Sequence, residues 1–225
     1  MKILAIEFSS SHRTIAVYDT DNPSTPPVQA EYDRPDHTPA FEMLDSLTSS
    51  IEFKKDEIGV VGVGIGPGSY TGIRIAIAIA QGLNVCNNAQ IVPITSFDCM
   101  AKQLADSNRS GLFHLVVDAQ KNELCNATYR IENGKYEIVE PMSLIPICEL
   151  EELKKDGAVI AGPDLESIAP NIETLYPAAS TLALLTASSS EFVPPEKLEP
   201  IYLRKTSFIK AAPPRFIISD SPEQP

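Results

Sequence analysis

Apolar positions alternate near the start of the chain, and further along they recur at wider spacings. In KILAIEFSSSHRTIAVYD, Ile3 and Ala5 alternate with Leu4 and Ile6, and Ile15 and Val17 alternate with Ala16 and Tyr18, on either side of a Ser-rich turn. Two period-two runs around a short polar turn predict an N-terminal hairpin. The prolines of DNPSTPP mark a loop, after which VQAEYDR supplies a third strand. Phe41, Leu44, Leu47 and Ile51 then recur at helical spacing behind Thr38 as cap and Pro39 as first helical residue. The apolar run Gly59 to Ile65 reads as a buried strand, followed by a Gly-Pro-Gly turn and a helix opening near Gly72 and running to Val85. QIVPIT is a fifth strand, and Ser96 caps a helix through about Ala105.

The second half repeats this order. SNRSG marks a boundary at residues 107 to 111, beyond which come the strand LFHLVVDAQ, the further β-run ELCNATYRIENGKYEIVE, a helix near ELEELKKDG and the strand AVIAGP. Glu7 and Asp118 each end the first strand of their half, as a diverged duplication predicts. The expected organisation is an α/β protein with an N-terminal half over 1–106, a C-terminal half over 111–210 and a tail over 211–225. Within the second half YPAASTLALLTASS is a helix and EKLEPIYLRK a structured return. The prolines and polar finish of the tail predict a mobile segment.

The helix after the glycine turn is apolar nearly all round. Between Gly72 and Val85 only Arg74, Gln81 and Asn84 are polar, and Ile73, Ile75, Ala76, Ile77, Ala78, Ile79, Ala80 and Leu83 sweep an arc of about 260° at about 100° per residue. One sheet covers only part of that arc. The remainder calls for a second layer of this chain or for another subunit.

Composition narrows the partners. Of 225 residues 43% are apolar, which is a folded chain, and 18 Lys and Arg against 30 Asp and Glu leave a net charge of -12. That excess repels nucleic acid as a whole, so an RNA contact must be local or supplied by a partner. No apolar stretch approaches membrane-spanning length and no leader is apparent, so the expectation is a cytoplasmic protein with no membrane contact. Cys86, Cys99, Cys125 and Cys148 lack any Cys-x-x-Cys pair and read as reduced core thiols.

The glycine stretch is the first candidate for chemistry. A close-packed glycine loop opening a helix suits an anion, because the first N–H groups lack partners and the helix dipole is positive there. It equally suits a tight strand-to-helix connection. A P-loop requires a lysine that is absent between Lys55 and Lys102, and Gly66, Gly68 and Gly72 are spaced one residue too far for a dinucleotide fingerprint. His12, His37 and His114 show no metal-ligand spacing; His114 reads as a core residue, and His37, beside a helix start, is the one near a rim. Ser69 and Thr71 have no neighbouring base and read as helix caps. Arg74 either reaches across the loop or pairs with an acid on a neighbour, and Glu7 either binds Mg²⁺ in a cleft or accepts hydrogen bonds in its turn. The residues of a ligand or phosphate loop are thus Glu7, His37, Gly66, Gly68, Ser69, Thr71, Arg74 and Asp118. No catalytic or metal constellation stands out.

Taken together, ILAIEFSSSHRTIAVYD, His37 before a helix, GIGPGSYTGIRIAIAIAQGL, ITSFDCMA, VVDAQKNELCNATY and EPIYLR closely resemble the TsaB (YeaZ) family over about residues 2 to 205. The resemblance implies an actin-like, ASKHA-type fold of two RNase H-like halves, each a mixed sheet with flanking helices. It implies a non-catalytic subunit in the making of threonylcarbamoyladenosine (t6A) in tRNA, meeting tRNA only through its complex. The partners implied are a TsaD-type paralogue that carries the chemistry and a TsaE-type ATPase, with a homodimer when alone. Family dimers form through the first two helices, which here places Phe41, Leu44, Leu47, Ile73, Ile75, Ala78, Ile79 and Gly82 at an interface. No cofactor is required by the subunit itself, with ATP or ADP and Mg at the boundary with the partner. The chain departs from active actin-like ATPases in having Glu7-Phe8-Ser9-Ser10 where they carry Asp-x-Gly-Thr. The rival readings are an actin-like ATPase or sugar-kinase-type phosphotransferase using Glu7 and Asp118, and a glycoprotease-type peptidase.

Overall fold

A computed structural model describes residues 1–33, 39–50, 53–153 and 157–203. The first lobe holds β1 (Lys2–Glu7), β2 (Arg13–Asp19), β3 (Val28–Tyr32), α1 (Ala40–Ser50), β4 (Ile58–Gly64), α2 (Tyr70–Asn87) and β5 (Gln90–Ile94). Then follow α3 (Ser96–Asp106), β6 (Gly111–Asp118), β7 (Glu123–Glu132), β8 (Lys135–Pro146), α4 (Leu150–Leu153), β9 (Val159–Gly162), β10 (Glu173–Thr174) and α5 (Ala179–Ser188).

Two five-stranded sheets result, ordered β3-β2-β1-β4-β5 and β10-β9-β6-β7-β8. The second is the first read backwards, element for element: an antiparallel meander of three strands, then two strands added parallel to its first. The duplication expected from the order of elements is therefore present in the hydrogen bonding. Glu7 opposite Thr14 and Asp118 opposite Leu124 close the two equivalent hairpins. The two-residue strand β10, too short to announce itself in the sequence, completes the second sheet.

The cores do not follow the chain boundary near residue 107. Helix α3 packs Phe97, Met100, Ala101 and Leu104 against Phe113, Leu115, Ala127 and Tyr129 of the second sheet. Helix α5 crosses back and packs Ala179, Leu182 and Ala183 against Ile3, Ala5, Ala16, Val60 and Val92 of the first. The halves thus exchange helices across the middle of the molecule. The start of α5 is satisfied the same way. Its cap residue Ala178 has no side-chain oxygen, and the N–H groups of Ala178, Ala179 and Ser180 donate instead to Gln103 Oε1 (3.1 Å), Thr14 Oγ1 (2.9 Å) and Gln29 Oε1 (2.9 Å). Orphan donors at a helix start need such acceptors, and here every one comes from outside the half to which α5 belongs.

Boundaries differ from expectation at three helix starts, the first being α1, which opens at Ala40 and leaves Pro39 just outside it. Helix α2 opens at Tyr70, two residues before Gly72, because the Ser69 hydroxyl accepts from Gly72 N and caps it. Helix α3 is capped by Thr95, which accepts from Asp98 N at 2.9 Å, so Ser96 is its first residue and not its cap. Thr38, Ile51 and the tail expected over 211–225 lie outside the described residues. All four cysteines are free; Cys99 and Cys125 are core thiols, but Cys86 and Cys148 are exposed. Among the described residues no helix is long and apolar enough to cross a membrane.

Candidate functional site

A cleft of about 710 Å³ lies between the lobes where the two hairpin turns face each other. Ser9, Ser11, Arg13 and Ser69 line one wall, and Asp118, Gln120 and Asp164 line the other. The glycine loop forms its corner, but the loop's polar groups are turned to internal use. Ser69 N donates to Ser9 O at 2.6 Å, and Ser96 N donates to Gly66 O at 2.8 Å. Gly68, at φ +149°, has no room for a side chain: a Cβ there would stand 2.1 Å from Ser9 O. At Gly72 a Cβ would stand 1.9 Å from Phe8 O and 2.0 Å from Arg13 Nη1. These glycines let the loop and the first turn of α2 press against the β1–β2 turn. The tight connection, not the anion cradle, accounts for them.

Glu7 is fully buried, and its carboxylate accepts from Ser9 N (2.8 Å) and Ser96 Oγ (3.1 Å). Burial pushes its pKa up, opposed by those two hydrogen bonds. It does not line the cleft. Asp118 does, half-exposed, with its oxygens accepting from Gln120 N (2.7 Å) and Gln120 Nε2 (2.8 Å). A magnesium nucleotide, which an actin-like fold implies, needs free backbone donors on the loop and acids open to the cleft. The residues present do not fit it: the Ser69 amide is spent, Glu7 is inside, and Asp118 closes its own turn. Among the described residues no three His, Cys, Asp or Glu side chains gather as metal ligands.

The remaining candidates disperse. His114 is buried and bonded through Nδ1 to Thr128 Oγ1 at 2.9 Å, a satisfied core residue as its pattern indicated. His37 lies outside the described residues. Thr71 is exposed on the first turn of α2. Arg74 takes neither course expected of it. It lies 3.9 Å over the Tyr70 ring and donates from Nε (3.0 Å) and Nη2 (2.8 Å) to the Tyr202 hydroxyl. The two buried thiols are poor nucleophiles, since burial pushes Cys99 far up and Cys125 to about 12.

Helix α2 presents a second kind of site. Gly72, Ile73, Ala76, Ile77 and Ala80 are buried and Ile75 and Ile79 half-buried against the first lobe's core. On its outer side Ala78, Gly82 and Val85 are exposed, Val85 at 81%. On α1, Phe41 is 68% exposed, whereas Leu44 and Leu47 face inward. Of the eight residues placed at an interface, Leu44, Leu47 and Ile73 therefore belong to this chain's own core. Periodicity reveals an apolar face but not which face the sheet already covers.

Sequence reasoning passed over Arg13, Asp164 and Tyr202. Only Asp164 had a signal: Ala161-Gly162-Pro163-Asp164 closes β9 as Ile65-Gly66-Pro67-Gly68 follows β4.

Duplicated mixed sheets, exchanged helices and a cleft between facing hairpins define an actin-like protein of two RNase H-like lobes. A family profile described as TsaD, tRNA N6-adenosine threonylcarbamoyltransferase, matches residues 36–193, and the chain belongs to that family, among its TsaB (YeaZ) members. Relatives named tRNA threonylcarbamoyladenosine biosynthesis protein TsaB include one from Escherichia coli, 27% identical with 95% of this chain and 99% of the relative covered. Another, from Bacillus subtilis, is 28% identical over 69% of this chain and 67% of the relative. A solved structure titled YeaZ from Pseudomonas aeruginosa superposes with a TM-score of 0.73 at 20% identity, covering 90% of this chain and 99% of that one, and so shares the fold.

Proposed function

We propose that this chain is a non-catalytic subunit in the formation of t6A in tRNA, binding a TsaD-type catalytic subunit through the outer face of α2. The observation that carries this reading is the exposed stripe Ala78, Gly82 and Val85 on a helix whose inner side is fully used. Small residues at i and i+4 let another helix approach closely, and a bare apolar face of this kind calls for a partner. On the same helix Ile75 and Ile79 are half-buried, and Phe41 of α1 is exposed as well.

The subunit works without a nucleotide or metal of its own; ATP or ADP with Mg belongs at the boundary with the partner, where a TsaE-type ATPase joins. A homodimer through the same face forms when the partner is missing. The net charge of -12 leaves tRNA contact to the complex. Cytoplasmic localisation follows from that role.

Reconstitution tests it. With a TsaD-type and a TsaE-type subunit, tRNA and substrates present, t6A formation should require this chain, while the chain alone should hydrolyse neither ATP nor casein. ATP hydrolysis by the purified chain would favour the phosphotransferase reading instead.

A further inference from the structure

Arg13 is 3% exposed and makes no ion pair among the described residues. Its Nη1 donates to Phe8 O at 2.7 Å, its guanidinium stands 5.9 Å from the Phe8 ring, and its Nε has no hydrogen-bond partner. The Ser9 hydroxyl beside it is near the Glu7 carboxyl but outside hydrogen-bond geometry. A buried cation with an idle donor is costly to a fold and marks a place where an acceptor is missing. Both residues line the interlobe cleft.

A strap between the lobes lines the same cleft. Asp164, exposed and at φ +56°, accepts from Ser11 N at 2.8 Å and from Ser11 Oγ. Its charge reaches Arg13 and opposes the lowering that burial imposes on the guanidinium. The strap is made of solvent-exposed hydrogen bonds, which open at little cost.

We propose that the cleft is a binding site for a small monocarboxylate, taken against Arg13 and Ser9 when the Ser11–Asp164 strap opens. With Nη1 held by Phe8 O, the guanidinium has left the edge formed by Nε and Nη2, whose two parallel N–H groups match the oxygens of a carboxylate. Asp118 and Asp164 on the facing wall repel phosphates and nucleotides, which carry more than one charge. Val117, Ala119 and Pro163 suit an uncharged body behind the carboxylate. The site is independent of the subunit role above.

The Arg13 Nε–H signal of the full chain, followed by ¹⁵N NMR during titration with acetate, butyrate or inorganic phosphate, tests the assignment. Acetate and butyrate should move it saturably at concentrations on the order of 50 mM or less, with phosphate weaker. Asp164→Asn, an exposed change that keeps the fold, should tighten butyrate by about threefold or more by removing a competing charge and loosening the strap. Ser9→Ala should weaken it. An Nε–H signal unmoved by either carboxylate, phosphate binding as tightly as butyrate, or Asp164→Asn without gain would overturn the proposal.

Discussion

The two hairpin turns face each other across the cleft and hold equivalent places in their sheets, yet the chain treats them in opposite ways. In the first lobe Glu7 is drawn inside, and the turn that follows is locked by Ser69 N on Ser9 O and by Arg13 on Phe8 O. In the second lobe Asp118 stays half-exposed, and the turn runs through Gln120, Lys121 and Asn122 at φ of +63°, +59° and +62° with no glycine, the Asn122 carbonyl accepting from Ile147 N at 3.0 Å. The difference teaches that strand-end acids in a duplicated fold need not keep a shared task. One has become an internal fastening for the glycine loop, the other a local turn acceptor at a cleft wall.

The lobes are unequal but not separable, because each lends a helix to the other. The largest expected effect follows from this: residues 1–110 expressed alone should lack a cooperative thermal transition, since α5 no longer covers Ile3, Ala5 and Val60. A sharp melt from that fragment would break the picture of exchanged cores. Next in size, Gly72→Ala should destabilise the whole chain by about 3 kcal/mol, a fall of roughly 6–12 °C in Tm, because its Cβ meets Phe8 O and Arg13. Gly82→Ala, with nothing within 4 Å, should hold or raise Tm. Thr14→Val removes the acceptor of Ala179 N and should cost about 1–3 kcal/mol in a denaturant titration.

The smallest effect concerns pH. Burial raises the folded pKa of Glu7 above its unfolded value, so the native state binds more protons between the two. Its contribution therefore falls as pH rises from the ordinary carboxylate range through the raised pKa. Glu7→Gln should flatten that fall when unfolding free energies are compared across pH, whereas an unchanged slope would place the titration elsewhere.

Much of this was legible in the chain. The hairpins, the glycine turn and the repeated order of elements follow from local periodicity and turn chemistry. The helix exchange was not, because the covering of Val92 by Leu182 pairs residues that no local pattern relates. Nor was the fate of the candidate residues. Gly68 and Gly72 look the same in sequence whether they make way for a phosphate or for Phe8 O and Ser9 O, and only the tertiary approach of the first turn decides. Leu44, Leu47 and Ile73 misled for a related reason: an apolar position on a helix serves the core or a partner alike.

The subunit reading stands or falls on the outer face of α2. Sedimentation of the chain mixed with a TsaD-type subunit, wild type against Gly82→Arg, tests it most directly. A stable heterodimer for the wild type, lost in a variant whose own melting is unchanged, is the predicted result. A heterodimer that survives Gly82→Arg intact would contradict it.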